Sequence, residues 1–202
     1  MNLKSEKIAL VIVDVQMDFL PGGALAVEDG DQIIPVINDL QIGYGLVVAT
    51  QDWHPKAHSS FASQHEGKMV YEIIDWEGMQ QVLWPDHCVQ GSIGASLSPV
   101  LDSRAIEAIF RKGMDVDIDS YSGFYDNGRR RNTGLYGYLK DRGVSEVHVC
   151  GLAADYCVYY TAMDALTLGF DTKIVQAATK AIDQQNFERL CEEFIKQRGQ
   201  LI

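Results

Sequence analysis

Five β-type runs in this chain lack polar/apolar alternation: residues 8–13, 46–50, 105–110, 146–150 and 171–175. A strand without alternation is buried on both faces, and a sheet buried on both faces is a parallel one covered by helices. Helical periodicity fills the intervals at 31–42, 134–142, 157–168 and 186–197, with Gly43, Gly45, Gly143 and Gly169 near the helix ends. Strand, helix and strand therefore repeat as βαβ units. The expected fold is α/β: a doubly wound, mostly parallel sheet of five or six strands with helices on both faces. Residues 199–202 are the candidate sixth strand, at an edge. Two segments, 52–99 and 112–132, resist this grammar. Long loops in compact domains usually carry function.

No Pro/Ser-rich linker divides the 202 residues, so one domain over 1–202 is expected. A formal charge of −11 argues against nucleic-acid binding, and no apolar run approaches the roughly 20 residues a bilayer span needs. Four widely spaced cysteines (Cys88, Cys150, Cys157, Cys191) and the lack of a signal-type N-terminus predict a reducing, cytoplasmic setting. The basic triplet Arg129–Arg131 reads as a solvated loop, with pairing to nearby Asp residues the other option.

In an open parallel sheet, ligands bind beyond the carboxyl ends of the strands. Four chemistry-bearing residues fall there: Asp14 after the first strand, Asp52 after the second, Lys112 after the third and Cys157 in the turn after the fourth. A thiol at a strand-to-helix turn sits against unsatisfied N–H groups, which lower its pKa and can hold an oxyanion. Thiol, carboxylate and ammonium form an acyl-transfer set in which Cys157 attacks, Asp14 takes the proton and Lys112 stabilises the anions. Singly, each has an ordinary reading: a buried thiol, a turn-capping carboxylate, a solvated lysine.

A second constellation is Asp52-Trp-His54-Pro-Lys-Ala-His58, with His87 further on in Trp84-Pro-Asp-His87-Cys88. Carboxylate with imidazoles suits Zn, Fe or Mn, and the alternative is a hydrated loop. His65 reads as a surface residue and His148 as structural. Phe19, Trp53 and Trp84 flank the polar motifs and could wall a flat pocket, or simply pack; Trp76 reads as core.

These segments resemble, in order, the nicotinamidases (pyrazinamidases) among the isochorismatase-like cysteine hydrolases. The resemblance rests on Asp14-Val-Gln-Met-Asp-Phe19, Leu20-Pro-Gly-Gly, Asp52-Trp-His54-Pro, His58-Ser-Ser-Phe61, Trp84-Pro-Asp-His87-Cys-Val-Gln-Gly91, Ser122-Gly-Phe124 and Gly151-Leu-Ala-Ala-Asp-Tyr-Cys157. It implies a triad of Asp14, Lys112 and Cys157, and one divalent metal ion on Asp52, His54, His58 and, in many members, His87. It further implies a cis peptide before Ala153, an oxyanion hole from the N–H groups of Ala153 and Cys157, and a pyridine ring held between Phe19 and Trp84. Tyr156 varies among relatives and receives no role. The implied reaction is hydrolysis of nicotinamide to nicotinate and ammonia in NAD salvage, and a homo-oligomer is compatible with it. The rival enzyme reading is another small amide, such as an N-carbamoyl compound or a ureide; the rival of another class is a binding module that has kept the fold without the chemistry.

Overall fold

A computed structural model describes residues 7–202 of the chain; residues 1–6 of the expected 1–202 domain lie outside them. Six strands form one sheet: β1 (Ile8–Val13), β2 (Leu46–Asp52), β5 (Ile106–Lys112), β6 (Glu146–Gly151), β7 (Asp171–Thr179) and β8 (Gln200–Leu201), in the spatial order β5-β2-β1-β6-β7-β8. Every pairing within it is parallel, including β8 on β7, which places the expected edge strand. The chain runs outward from β1 through β2 to β5, then returns to β6 on the other side of β1. The gap between β1 and β6 is therefore the switch point, where crevices form in such sheets.

Burial follows the pleat. Ala9, Val11 and Val13 of β1 face one core with Leu135 and Leu139 of α2 (Leu135–Asp141), Tyr159 and Ala162 of α3 (Tyr159–Thr167), and Phe187 and Phe194 of α4 (Gln184–Lys196). Leu10 and Ile12 face the other core with Ile33, Ile34 and Ile37 of α1 (Ile33–Gln41). Helices thus cover both faces, as the non-alternating runs required. The helices start or stop one or two residues from their expected limits, a π-helical turn counted apart. That turn, Ala154–Val158, precedes α3.

Two expectations needed correction. β5 is an edge strand whose residues alternate between half-buried and exposed, so Ile109 is 49% exposed rather than buried on both faces. Residues 52–99 are not wholly irregular: β3 (Ile73–Trp76) and β4 (Met79–Val82) form an antiparallel hairpin. On it Trp76 is half-buried rather than core, donating its Nε1–H to Asp117 O at 2.9 Å. The basic triplet is paired throughout: Arg129 with Asp164, Arg130 with Glu77 at 2.7 Å, and Arg131 with Asp115 at 3.2 Å. Those pairs tie the 112–132 segment to α3 and to the hairpin turn.

Candidate active site

The carboxyl edge of the sheet brings Asp14, Asp52, Lys112 and Cys157 together because they follow or end four parallel strands. Asp52 and Lys112 are register partners on β2 and β5. The Lys112 ammonium, wholly buried, lies 2.8 Å from Asp14 Oδ2, 2.5 Å from Asp52 Oδ1 and 3.3 Å from Cys157 Sγ, and donates to Ser120 O at 2.9 Å. Thr50 Oγ1 donates to Asp14 Oδ1 at 2.6 Å, fixing that carboxyl and leaving Oδ2 to Lys112 and the thiol. Asp14 holds a left-handed backbone (φ 48°), a conformation that costs energy outside glycine and is found where a site needs it. Gly151 is required where β6 ends, because its φ is 115° and a Cβ there would lie 2.0 Å from Val13 O. The Leu152–Ala153 peptide is cis, as the resemblance implied. The Ala153 N–H donates to no group among the described residues.

The electrostatics reverse one expectation. Burial pushes the Cys157 thiol well above its usual value, with Asp14 and Asp52 adding to the rise and Lys112 opposing it. At this turn burial works against the helix terminus. Burial, opposed by Lys112, also raises Asp14. A carboxylate with raised affinity for protons, beside a thiol that must lose one, is the pairing that general base catalysis asks for. Burial would raise Asp52 as well, but Lys112 and His54 outweigh it and hold Asp52 well below the usual carboxylate range.

Asp52 also faces the histidines. Its Oδ2 lies 3.6 Å from His54 Nε2 and 3.9 Å from His87 Nε2. The other nitrogen of each ring meets a backbone carbonyl, His54 Nδ1 at Gly113 O (2.9 Å) and His87 Nδ1 at Pro85 O (2.8 Å). That pattern orients each Nε2 as metal ligands are oriented. Gly113 is needed for it: a Cβ there would stand 2.3 Å from His54 Cε1. Burial and the charge of His54 hold His87 down at about 4, so its imidazole is neutral and its lone pair free. Asp52, His54 and His87 place one ligand atom each within 4.8 Å of one another, and this donor set fits a divalent ion. His58 stands apart. It groups with His54 and Asp119, and its Nδ1 meets Ser60 Oγ at 2.7 Å.

A narrow cavity of about 20 Å³ opens beside the thiol, with Phe19, Trp84, His87, Ala153 and Cys157 in its wall. The two expected aromatics therefore line one space with Cys157 and a candidate metal ligand. Trp53 does not: it stacks under the Arg111 guanidinium at 3.9 Å. His65 Nε2–H donates to Ser59 O (2.7 Å) and the residue is half-buried, and His148 belongs to the far end of the sheet. Sequence reading missed Asp119, Tyr121, Tyr156 and Ile182, all in the cavity wall. Tyr156, edge-on to Trp84 at 4.8 Å, directly precedes the nucleophile, and that adjacency was the one available signal.

Residues 8–201 match the family model described as the isochorismatase domain. The chain is 49% identical to the nicotinamidase of Acinetobacter baylyi over 180 residues, 89% of this chain and 84% of the relative. Among solved structures it is similar to an Acinetobacter baumanii nicotinamidase pyrazinamidease (TM-score 0.95, 46% identity, 98% and 96% of the two chains). It is also similar to the PnC1 protein of L. infantum in complex with nicotinate (TM-score 0.87, 38% identity, 98% and 93%). A pyrazinamidase of Pyrococcus horikoshii in complex with zinc gives a TM-score of 0.79 at 38% identity, with 97% and 98% covered. No helix among the described residues is long and apolar enough to cross a membrane.

Proposed function

The chain belongs to the isochorismatase domain family, and from that premise we propose that it is a nicotinamidase, hydrolysing the carboxamide of nicotinamide to nicotinate and ammonia in NAD salvage. The observation that carries the reading is Lys112, buried in contact with Asp14, Asp52 and Cys157 on the edge of an aromatic-walled cavity. Nicotinamidase relatives and the nicotinate complex of the L. infantum protein support the substrate.

In this reading Asp14 takes the Cys157 proton as Sγ attacks the amide carbon. The C–S bond forms, the carbonyl π pair moves onto oxygen, and the N–H groups of Ala153 and Cys157 hold that oxyanion. Collapse breaks the C–N bond, and the leaving nitrogen takes the proton back from Asp14 to depart as ammonia. Asp14 then removes a proton from water attacking the thioester, and nicotinate leaves with the thiol restored. Lys112 stays charged throughout and offsets the negative charge of its neighbours. Phe19 and Trp84 hold the pyridine ring. One divalent metal ion would rest on Asp52, His54, His58 and His87; it would supply Lewis-acid polarisation and an anchoring point for the substrate. A zinc-bound pyrazinamidase among the structural neighbours supports a metal there without fixing which one.

Cys157→Ala is expected to abolish ammonia release while the circular dichroism spectrum and Tm stay near wild type; residual turnover near normal would refute the thiol. His54→Ala is expected to lose bound metal by elemental analysis and raise KM. Metal content equal to wild type would remove the histidines from the site.

A further inference from the structure

The mouth of the cavity is held by a device that no motif announced. Ile182 lies in the link between β7 and α4, 37% exposed, yet its side chain is part of the cavity wall. Its position is fixed from the nucleophile's own turn. The Ile182 N–H donates to Asp155 Oδ1 at 2.9 Å and the Asp183 N–H to Asp155 Oδ2 at 3.0 Å. One residue earlier in the turn, the Ala154 N–H donates to Lys180 O at 2.8 Å. Three hydrogen bonds thus staple residues 180–183 to the π-helical turn that carries Cys157. Asp155 is 1% exposed, and Asp183 caps α4 through Gln185 N and Asn186 N, so the link is anchored at both ends. A buried carboxylate spanning two consecutive N–H groups sets a backbone position more strictly than a neutral acceptor would.

We infer that Ile182 is a specificity-determining wall that closes on the edge of the bound ring, and that Asp155 is the positioning residue that sets it. The inference rests on the reading of Cys157 as nucleophile and of this cavity as the nicotinamide site. A ring bearing a substituent on the edge that meets Ile182 would be turned away, and removal of the side chain would open the mouth without moving the triad.

The test uses Ile182→Ala, Ile182→Val and Asp155→Asn in the full chain, with two readouts. The first is the kinetics of ammonia release from nicotinamide and from nicotinamides methylated at each free ring carbon. Ile182→Ala is expected to raise KM for nicotinamide roughly 10-fold with kcat nearly unchanged, and to gain on at least one methylated analogue. Ile182→Val should restore most of the loss, and Asp155→Asn should repeat the KM effect because its amide places a donor against an N–H. The second readout is the ratio of Cys157 alkylation rates by N-phenylmaleimide and by iodoacetamide, followed by mass spectrometry of the Cys157 peptide. Opening the mouth is expected to raise that ratio in Ile182→Ala and Asp155→Asn. An Asp155→Asn protein that fails to fold leaves the two Ile182 variants to decide. Unchanged KM and selectivity, or an unchanged alkylation ratio, would overturn the inference. A wild-type protein that released no ammonia from nicotinamide would instead overturn the substrate reading, and the alkylation ratio alone would then decide the role of Ile182.

Discussion

Two ends of one sheet each gather a histidine, carboxylates and a lysine, and they use them differently. At the amino end, Tyr44 OH lies 2.5 Å from His148 Nδ1, while His148 Nε2 and Lys173 Nζ each reach Glu146 Oε1 at 2.6 Å. Every group has a partner, all but the buried His148 are half-buried, and Lys173 with His148 holds Glu146 below its usual value. At the carboxyl end, burial is complete and partners are too few: one ammonium serves two carboxylates and a thiol. Burial pushes Asp14 and Cys157 towards their neutral forms, while Lys112 holds Asp52 ionised. The residue types are alike, and what separates a structural network from a reactive one is how far charge has been taken out of water without full pairing.

The comparison breaks most visibly at Lys112. Lys112→Met leaves Asp14 and Asp52 buried without their counter-charge, so turnover is expected to be lost and stability to fall by about 3–5 kcal/mol in urea titrations. Little change in the unfolding midpoint would show that the cluster is less buried than described here.

Asp14→Asn sharpens the contrast, because activity and stability should part. The Asp14 pKa is raised in the folded protein, so the stability it lends is full below the ordinary value of 3.8 and is lost as pH rises through its folded value. At neutral pH the asparagine variant is expected to melt no lower than wild type while releasing no ammonia. The same shift puts the acid limb of wild-type kcat/KM above pH 3.8. A lower limb, or a clearly lower Tm in the variant, would contradict the account.

The smallest effect belongs to the amino end. His148→Gln is expected to leave ammonia release within about twofold and to lower stability by about 1 kcal/mol, a few degrees of Tm. Loss of turnover there would erase the distinction between the two ends.

The strand-end groups were legible in sequence because a buried parallel strand announces itself as an apolar run, and the first polar residue beyond it is thereby placed at the crevice. Asp14 followed from that rule, Lys112 and Cys157 from lying a little further along the same strand-end segments, and the parallel arrangement was legible with them. β5 misled because an edge strand retains apolar residues on its solvent side, and Ile109 carries no mark of its exposure. The loop-borne wall was less legible. Tyr121 reaches the cavity through a long connection and Ile182 through the short link at 180–183, and a path fixed by contacts such as Asp155 with the Ile182 N–H has no periodicity to read. The Cys157 shift was misjudged for a related reason: position at a turn can be read from sequence, but enclosure on all sides cannot.

Ammonia release from nicotinamide by the purified wild-type protein, before chelation, after it and after metal add-back, tests the central claim most directly. The account predicts release that chelation abolishes and a divalent ion restores, with Cys157→Ala inactive in all three states. No release from metal-loaded protein with an intact thiol would contradict it.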